Sequence, residues 1–216
     1  YKVFEKNGST EFVGYSNLKT EGCILEIVKK NKFVNEIKTG DEGIILSLIK
    51  DGKEIKSLNE GDEAMIILNQ TPFYGESGGQ IGDTGIIELN NNKFEVHDTK
   101  KALKINLHVG KMLKGKLEKN KTVNLIIDNK KRKKIKIYHS LTHLLHAALR
   151  NILGKHVIQK GSLVSFNKLR FDFSHSKSLT EKEINEIESE VKKIIKQNGK
   201  IDISILPYKK AVKRGA

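Results

Sequence analysis

Residues 128–154 read DNKKRKKIKIYHSLTHLLHAALRNILG, and this stretch decides the organisation of the chain. Before it, apolar residues recur with period two in short runs; within it, the period changes to 3.6. Asp128 is a capping residue and Leu153-Gly154 a helix stop, so a helix of about seven turns is predicted. At about 100° per residue, His143 and His146 project within about 40° of His139, and Arg150 falls between His139 and His143. Leu141, Leu144, Leu145, Ala148 and Ile152 project almost opposite, which predicts a packed leucine side and an imidazole row facing water or a pocket. Imidazoles at i and i+4 can hold one tetrahedral metal ion, although the same spacing describes a solvated polar face. Ser140 stands where an HExxH metalloprotease needs its glutamate, so that chemistry is set aside.

Upstream, β-branched runs at Ile24–Val28, Ile44–Ile49, Ala64–Leu68, Ile105–Val109 and Val123–Ile127 alternate with turn signals at Asp51-Gly52, Glu60-Gly61-Asp62 and Asn90-Asn91-Asn92. This spacing suits a small barrel. Downstream, Ser162–Phe166 and Leu169–Phe173 predict a strand pair turning at Asn167-Lys168, with Arg170 and Asp172 on one face. Thr180 and Glu183 form a capping box for a second helix with the apolar stripe Ile184, Ile187, Val191, Ile194 and Ile195, ending at Asn198-Gly199. Ile201–Leu206 offers a last strand before Pro207. The prediction is an α+β chain: a barrel over 1–127, then an α+β sandwich over 128–216.

Charge and composition narrow the partners. Forty Lys and Arg against 26 Asp and Glu give a net +14, which favours a polyanion such as RNA. Thirty-six of the forty are lysines in an Asn- and Ile-rich chain, a pattern that A/T-rich coding also produces. The densest run, Lys130 to Lys136, opens the predicted helix, where the macrodipole disfavours positive charge. The single cysteine, Cys23, excludes an internal disulfide and fits a reducing compartment. No apolar run approaches the ~18 residues of a membrane span. Tyr1 in place of a start methionine and the abrupt end at Ala216 suggest a piece of something longer.

The segment 71–85, TPFYGESGGQIGDTG, carries five glycines but neither a Gly-Lys-Ser/Thr ending nor a GxGxxG frame, so a nucleotide loop is not indicated. Followed in order by HSLTHLLHAALRNILGKHVIQKGSLV and LRFDFSH, it resembles the editing region of alanyl-tRNA synthetases over nearly the whole chain. The threonyl-tRNA synthetase editing domain is similar only in the histidine half, and free-standing alanyl-tRNA editing proteins carry a variant glycine motif. The resemblance implies a translation-factor-like barrel followed by an editing core that hydrolyses Ser-tRNA(Ala) and Gly-tRNA(Ala). It implies a cytoplasmic parent ligase that joins alanine to tRNA(Ala) with ATP, the other domains acting in cis.

On this reading His139 and His143 are zinc ligands, with a further CxxxH motif absent from the sequence. Thr142 and Gln159 shape the pocket, with Ser162 a third candidate. Gly78, Gly79, Gln80, Lys131, Arg132 and Arg150 are candidate substrate or tRNA contacts. With only half of a zinc site, the chain is expected to bind the metal weakly or not at all. Two other readings are a non-catalytic tRNA-binding module and a stand-alone trans-editing deacylase.

Overall fold

The computed structural model describes residues 11–12, 23–29, 32–38, 42–199, 207 and 209–210. The predicted strand at Ile201–Leu206 and the side chain of Cys23 lie outside the described residues. In chain order the strands are β1 (Glu11–Phe12), β2 (Cys23–Lys29), β3 (Lys32–Lys38), β4 (Glu42–Lys50), β5 (Lys53–Ile55), β6 (Ser57–Asn59), β7 (Glu63–Leu68) and β8 (Gln70–Thr71). There follow β9 (Gly85–Leu89), β10 (Asn92–Ala102), β11 (Ile105–Lys114), β12 (Lys116–Glu118) and β13 (Thr122–Ile127). Helix α1 (Asn129–Leu153), β14 (Gln159–Val164), β15 (Leu169–Phe173) and helix α2 (Glu181–Gln197) complete the described elements. None of the described helices is long and apolar enough to cross a membrane.

Six strands close on themselves in the order β13, β9, β10, β11, β7, β4, every neighbouring pair antiparallel, and β4 returns to β13 through Thr122 opposite Ile44 and Val123 opposite Gly43. Closure leaves no open edge on the ring, which is why so short a set of strands is self-sufficient. Strict alternation would send Ile45 and Leu48 to opposite faces, yet both are fully buried in one cluster. The register shift between Ile45 and Ser47 against β7 supplies the extra residue that turns them the same way. Around them pack Leu58, Ile66, Leu68, Phe73, Ile87, Phe94, Met112 and Leu117, all without solvent exposure. The outer face of the same strands carries a smaller cluster of Ile49, Ile67, Ile105 and Leu107. Asp51-Gly52, with φ of 50° and 74°, makes the predicted turn between β4 and β5 with the two left-handed residues that a type I′ hairpin needs.

Contacts divide the chain into two compact units, Tyr1–Thr142 with Gln159–Asp172, and His143–Ile158 with Phe173–Ala216. The first holds the barrel, the early turns of α1 and the β14–β15 hairpin. In the second, Thr180 caps α2 as predicted: Glu183 N donates to Thr180 Oγ1 at 3.2 Å and Thr180 N donates to the Glu183 carboxylate at 2.8 Å. These bonds hold the Glu183 carboxyl below its ordinary pKa. Ile187 and Val191 of the predicted stripe are buried, whereas Ile184 and Ile195 are exposed.

The face of α1 that packs is not the one its leucines predict. In the first unit the buried residues are Arg132, Ile135 and Thr142, which share an arc with His139. Leu141, Leu144, Leu145 and Ile152 are only half-buried, and of the predicted leucine side only Ala148 is fully covered. The early turns of α1 dock through polar groups, so hydrophobic periodicity misjudges their orientation.

Two outcomes test this packing. Thr180→Ala should cost about 1 kcal/mol of stability, measured by urea denaturation. His108, fully buried on β11, donates Nδ1–H to Ile66 O at 3.0 Å and accepts from the Thr71 hydroxyl at 2.8 Å. Burial pushes its pKa down to about 4. The unfolded chain therefore binds a proton that the folded chain refuses between pH 6.5 and 4. This residue contributes stability that is present above pH 6.5 and lost as pH falls, by at most about 1.4 kcal/mol per pH unit. Its imidazole NMR signals should stay constant from pH 8 to 5.5; a midpoint near 6.5 would contradict the assignment.

Candidate functional site

The glycine-rich segment is a loop clamped on every side within the first unit. At its start the Thr71 hydroxyl, already donating to His108, accepts from Phe73 N at 3.1 Å, and the Phe73 ring meets His108 edge-on with centroids 5.3 Å apart. In its centre Ser77 and Gln80 exchange backbone hydrogen bonds of 3.1 and 3.0 Å across Gly78 and Gly79. Both glycines have positive φ, 60° and 83°, the signature of a type I′ turn. A Cβ on Gly79 would collide with the carbonyl and Oγ of Ser162 on β14. That proximity is used: Val164 N donates to Gly79 O at 2.7 Å and Ile81 N to Val164 O at 3.1 Å.

At the loop's far end Asp83 is 2% exposed and accepts from Tyr74 N at 2.6 Å. Arg132, from the first turn of α1, donates Nε to both oxygens of that carboxylate at 2.8 and 3.0 Å, with Nη2 forming a further ion pair. The same Nη2 reaches Pro72 O at 2.8 Å. The guanidinium of Arg132, a candidate tRNA contact by sequence, is thus turned inward. Lys131 Nζ lies 3.2 Å from Thr84 Oγ1 and 5.5 Å from the centre of the Phe166 ring.

With both ends of the loop held, Gln80 is 9% exposed and its Oε1 lies 2.8 Å from His139 Nδ1. An amide oxygen only accepts, so Nδ1 carries the proton and the ring's lone pair sits on Nε2. This is the arrangement by which a metal-binding or proton-accepting histidine is usually oriented. Thr142, one turn further on, is 7% exposed and donates its hydroxyl proton to Tyr138 O at 2.8 Å, which leaves its lone pairs as acceptors. Ser162 Oγ is 3.4 Å from Gly78 O. The structure therefore brings Gly78, Gly79, Gln80, Ser162 and His139 into one connected set. His143 and Arg150 are exposed on α1, and Gln159 is exposed at the head of β14. Among the described residues no group of three or more His, Cys, Asp or Glu that could hold a metal ion comes together.

Comparison with known proteins places this arrangement. Residues 41–131 match the family of class II (A) tRNA synthetases. All of the chain aligns at 44% identity with the alanine–tRNA ligase of Rickettsia bellii (strain RML369-C), at 43% with that of Rickettsia felis (strain ATCC VR-1525 / URRWXCal2), and at 41% with that of Orientia tsutsugamushi (strain Ikeda). The chain belongs to the alanine–tRNA ligase family. It spans 22–23% of the length of these ligases.

Sequence reasoning missed three features of this ligase segment. Asp83 and Arg132 are visible in the sequence only as one polar residue in a glycine loop and one cation in a basic run. Gln80 gives no sign that its partner is His139, 59 residues away. In the second unit, His156 Nε2 and His175 Nδ1 lie 2.9 Å apart, with Ser174 Oγ accepting from Ile158 N at 2.9 Å and donating to His156 O at 2.9 Å.

Arg132→Met should destabilise the chain by about 3 kcal/mol or more in urea titrations, because the Asp83 carboxylate would stay buried without its cation. Arg132→Met with Asp83→Leu should recover most of that loss. A single variant of unchanged stability would show the pair to be solvated.

Proposed function

We propose that this chain forms most of the editing region of an alanine–tRNA ligase, hydrolysing the ester of tRNA(Ala) mischarged with serine or glycine. One observation carries this reading: the Gln80 amide orients the His139 imidazole, tying the two motifs that resemble the editing region into one site. The barrel is then the translation-factor-like part, and the second unit belongs to the α+β sandwich of an editing core. The parent ligase, with ATP-dependent aminoacylation in its other domains, is cytoplasmic.

The chemistry calls for such a site. An activation pocket built for alanine cannot exclude glycine by size and rejects an added hydroxyl only weakly, so a second, hydrolytic pocket is required. Thr142 suits that pocket, because its hydroxyl proton is committed to Tyr138 O and its oxygen can only accept. A serine side chain donates to such an acceptor and a methyl group does not. Gln159 adds an amide that can pair with the same hydroxyl. Ser162, whose Oγ lies 3.4 Å from Gly78 O, is a third candidate for that pocket.

His139 and His143, one helical turn apart on α1, are proposed as two ligands of a zinc ion whose remaining ligands are supplied from elsewhere. Bound there, zinc would act as a Lewis acid toward water or the aminoacyl group. The 216-residue chain alone should hold less than stoichiometric zinc and deacylate poorly. One tightly bound zinc per chain by metal analysis would overturn that part.

In the full-length ligase, Thr142→Val and Gln159→Ala should each lower kcat/KM for Ser-tRNA(Ala) clearance at least tenfold while leaving the Kd for uncharged tRNA(Ala) within twofold. Unchanged clearance, or affinity that falls in parallel, would favour a passive tRNA-binding module.

A further inference from the structure

Helix α1 carries seven basic residues and no acidic one, whereas α2, drawn from the same lysine-rich chain, balances four lysines with five glutamates. A chain-wide lysine bias does not explain that difference. Some lysines elsewhere pair locally, Lys50 with Asp62, Lys93 with Glu88, Lys116 with Glu118, Lys119 with Glu54 and Lys192 with Glu188. Lys130, Lys133, Lys134 and Lys136 are all exposed, and among the described residues none of them forms an ion pair. They cover one arc of about 160° on the helix, with the exposed Ile137 among them, on the side away from Arg132, Ile135, His139 and Thr142.

We infer that this lysine face is a docking surface for the phosphate backbone of double-helical RNA, set on the opposite side of α1 from the imidazole that Gln80 orients. The four lysines extend along about 9 Å of helix axis, a length over which a duplex backbone offers several phosphates. Along the lysine run the arc carries no aromatic side chain and a single amide, Asn129 at the helix start, so the surface is built to bind charge rather than to read bases. A membrane is the poorer partner, because a helix lying on lipid must present an apolar face, and here Ile135, the apolar residue opposite the lysines, is already buried. The inference rests on the proposed editing role only for the identity of the RNA as tRNA(Ala).

The test uses the 216-residue chain and uncharged tRNA(Ala) transcript, so it is independent of ester hydrolysis. Fluorescence anisotropy from 50 to 200 mM KCl should give a slope of log K against log[salt] that is shallower by about 3 to 4 in the Lys130→Gln/Lys133→Gln/Lys134→Gln/Lys136→Gln variant, with affinity at least tenfold weaker at 100 mM. The fourfold Lys→Arg variant should keep the wild-type slope. Replacing Lys50, Lys93, Lys116 and Lys119 by Gln should change it by less than 1. An unchanged slope in the first variant, or salt-dependent binding to phosphatidylserine vesicles without binding to tRNA, would overturn the inference. A shallower slope in a protein whose full-length form clears no Ser-tRNA(Ala) would leave the docking surface standing and remove the editing role.

Discussion

The buried ion pair between Asp83 and Arg132 is the constraint on which the arrangement depends. Taking a carboxylate and a guanidinium out of water is costly, and that cost is offset only when both are saturated with well-directed partners. Here Asp83 also receives the Tyr74 amide and Arg132 also reaches the Pro72 carbonyl, so one pair fixes both ends of the glycine loop to the first turn of α1. The rotational setting of the early helix follows. With Arg132 turned inward, Ile135, His139 and Thr142 share the same arc, and the lysines are left on the other side.

Inside that frame the loop acts as a spacer of fixed geometry. Its backbone pairs with β14 through Gly79, Ile81 and Val164, and with β10 through Glu76 N to Thr99 O at 2.8 Å. The Thr99 hydroxyl closes the circuit on Asp83 O at 2.8 Å. Gln80 is therefore delivered to His139 by hydrogen bonds that are almost all backbone, which makes the imidazole's tautomer a property of the fold.

Much of this is legible in the amino-acid sequence. The β-branched runs mark β2, β4, β7, β11 and β13, and the change of period at Asp128 marks α1, because alternation and capping are local signals. The hairpin β9–β10 is not evident beyond its Asn90 turn, since Gly85 to Leu89 is a short run interrupted by Glu88 and Asn92 to Ala102 carries charged residues on both faces. The orientation of α1 escapes the sequence for a related reason. Its leucines obey the helical period, but the early helix is held by Arg132 and His139, and a face that docks through polar groups carries no apolar stripe to read. Of the site, HxxxH and the glycine motif are evident as separate strings. Their meeting through Gln80 is a long-range event that no spacing encodes.

The turn at Gly78 and Gly79 puts two neighbouring glycines under unequal rules of replacement. At Gly78 a side chain would enter open space, so backbone sign alone restricts it, and asparagine, which tolerates left-handed geometry, is an admissible substitute. At Gly79 handedness and volume both forbid a side chain, because Ser162 occupies the place of the missing carbon. Sequence drift through this motif should thus be one-sided, open at the first glycine and closed at the second.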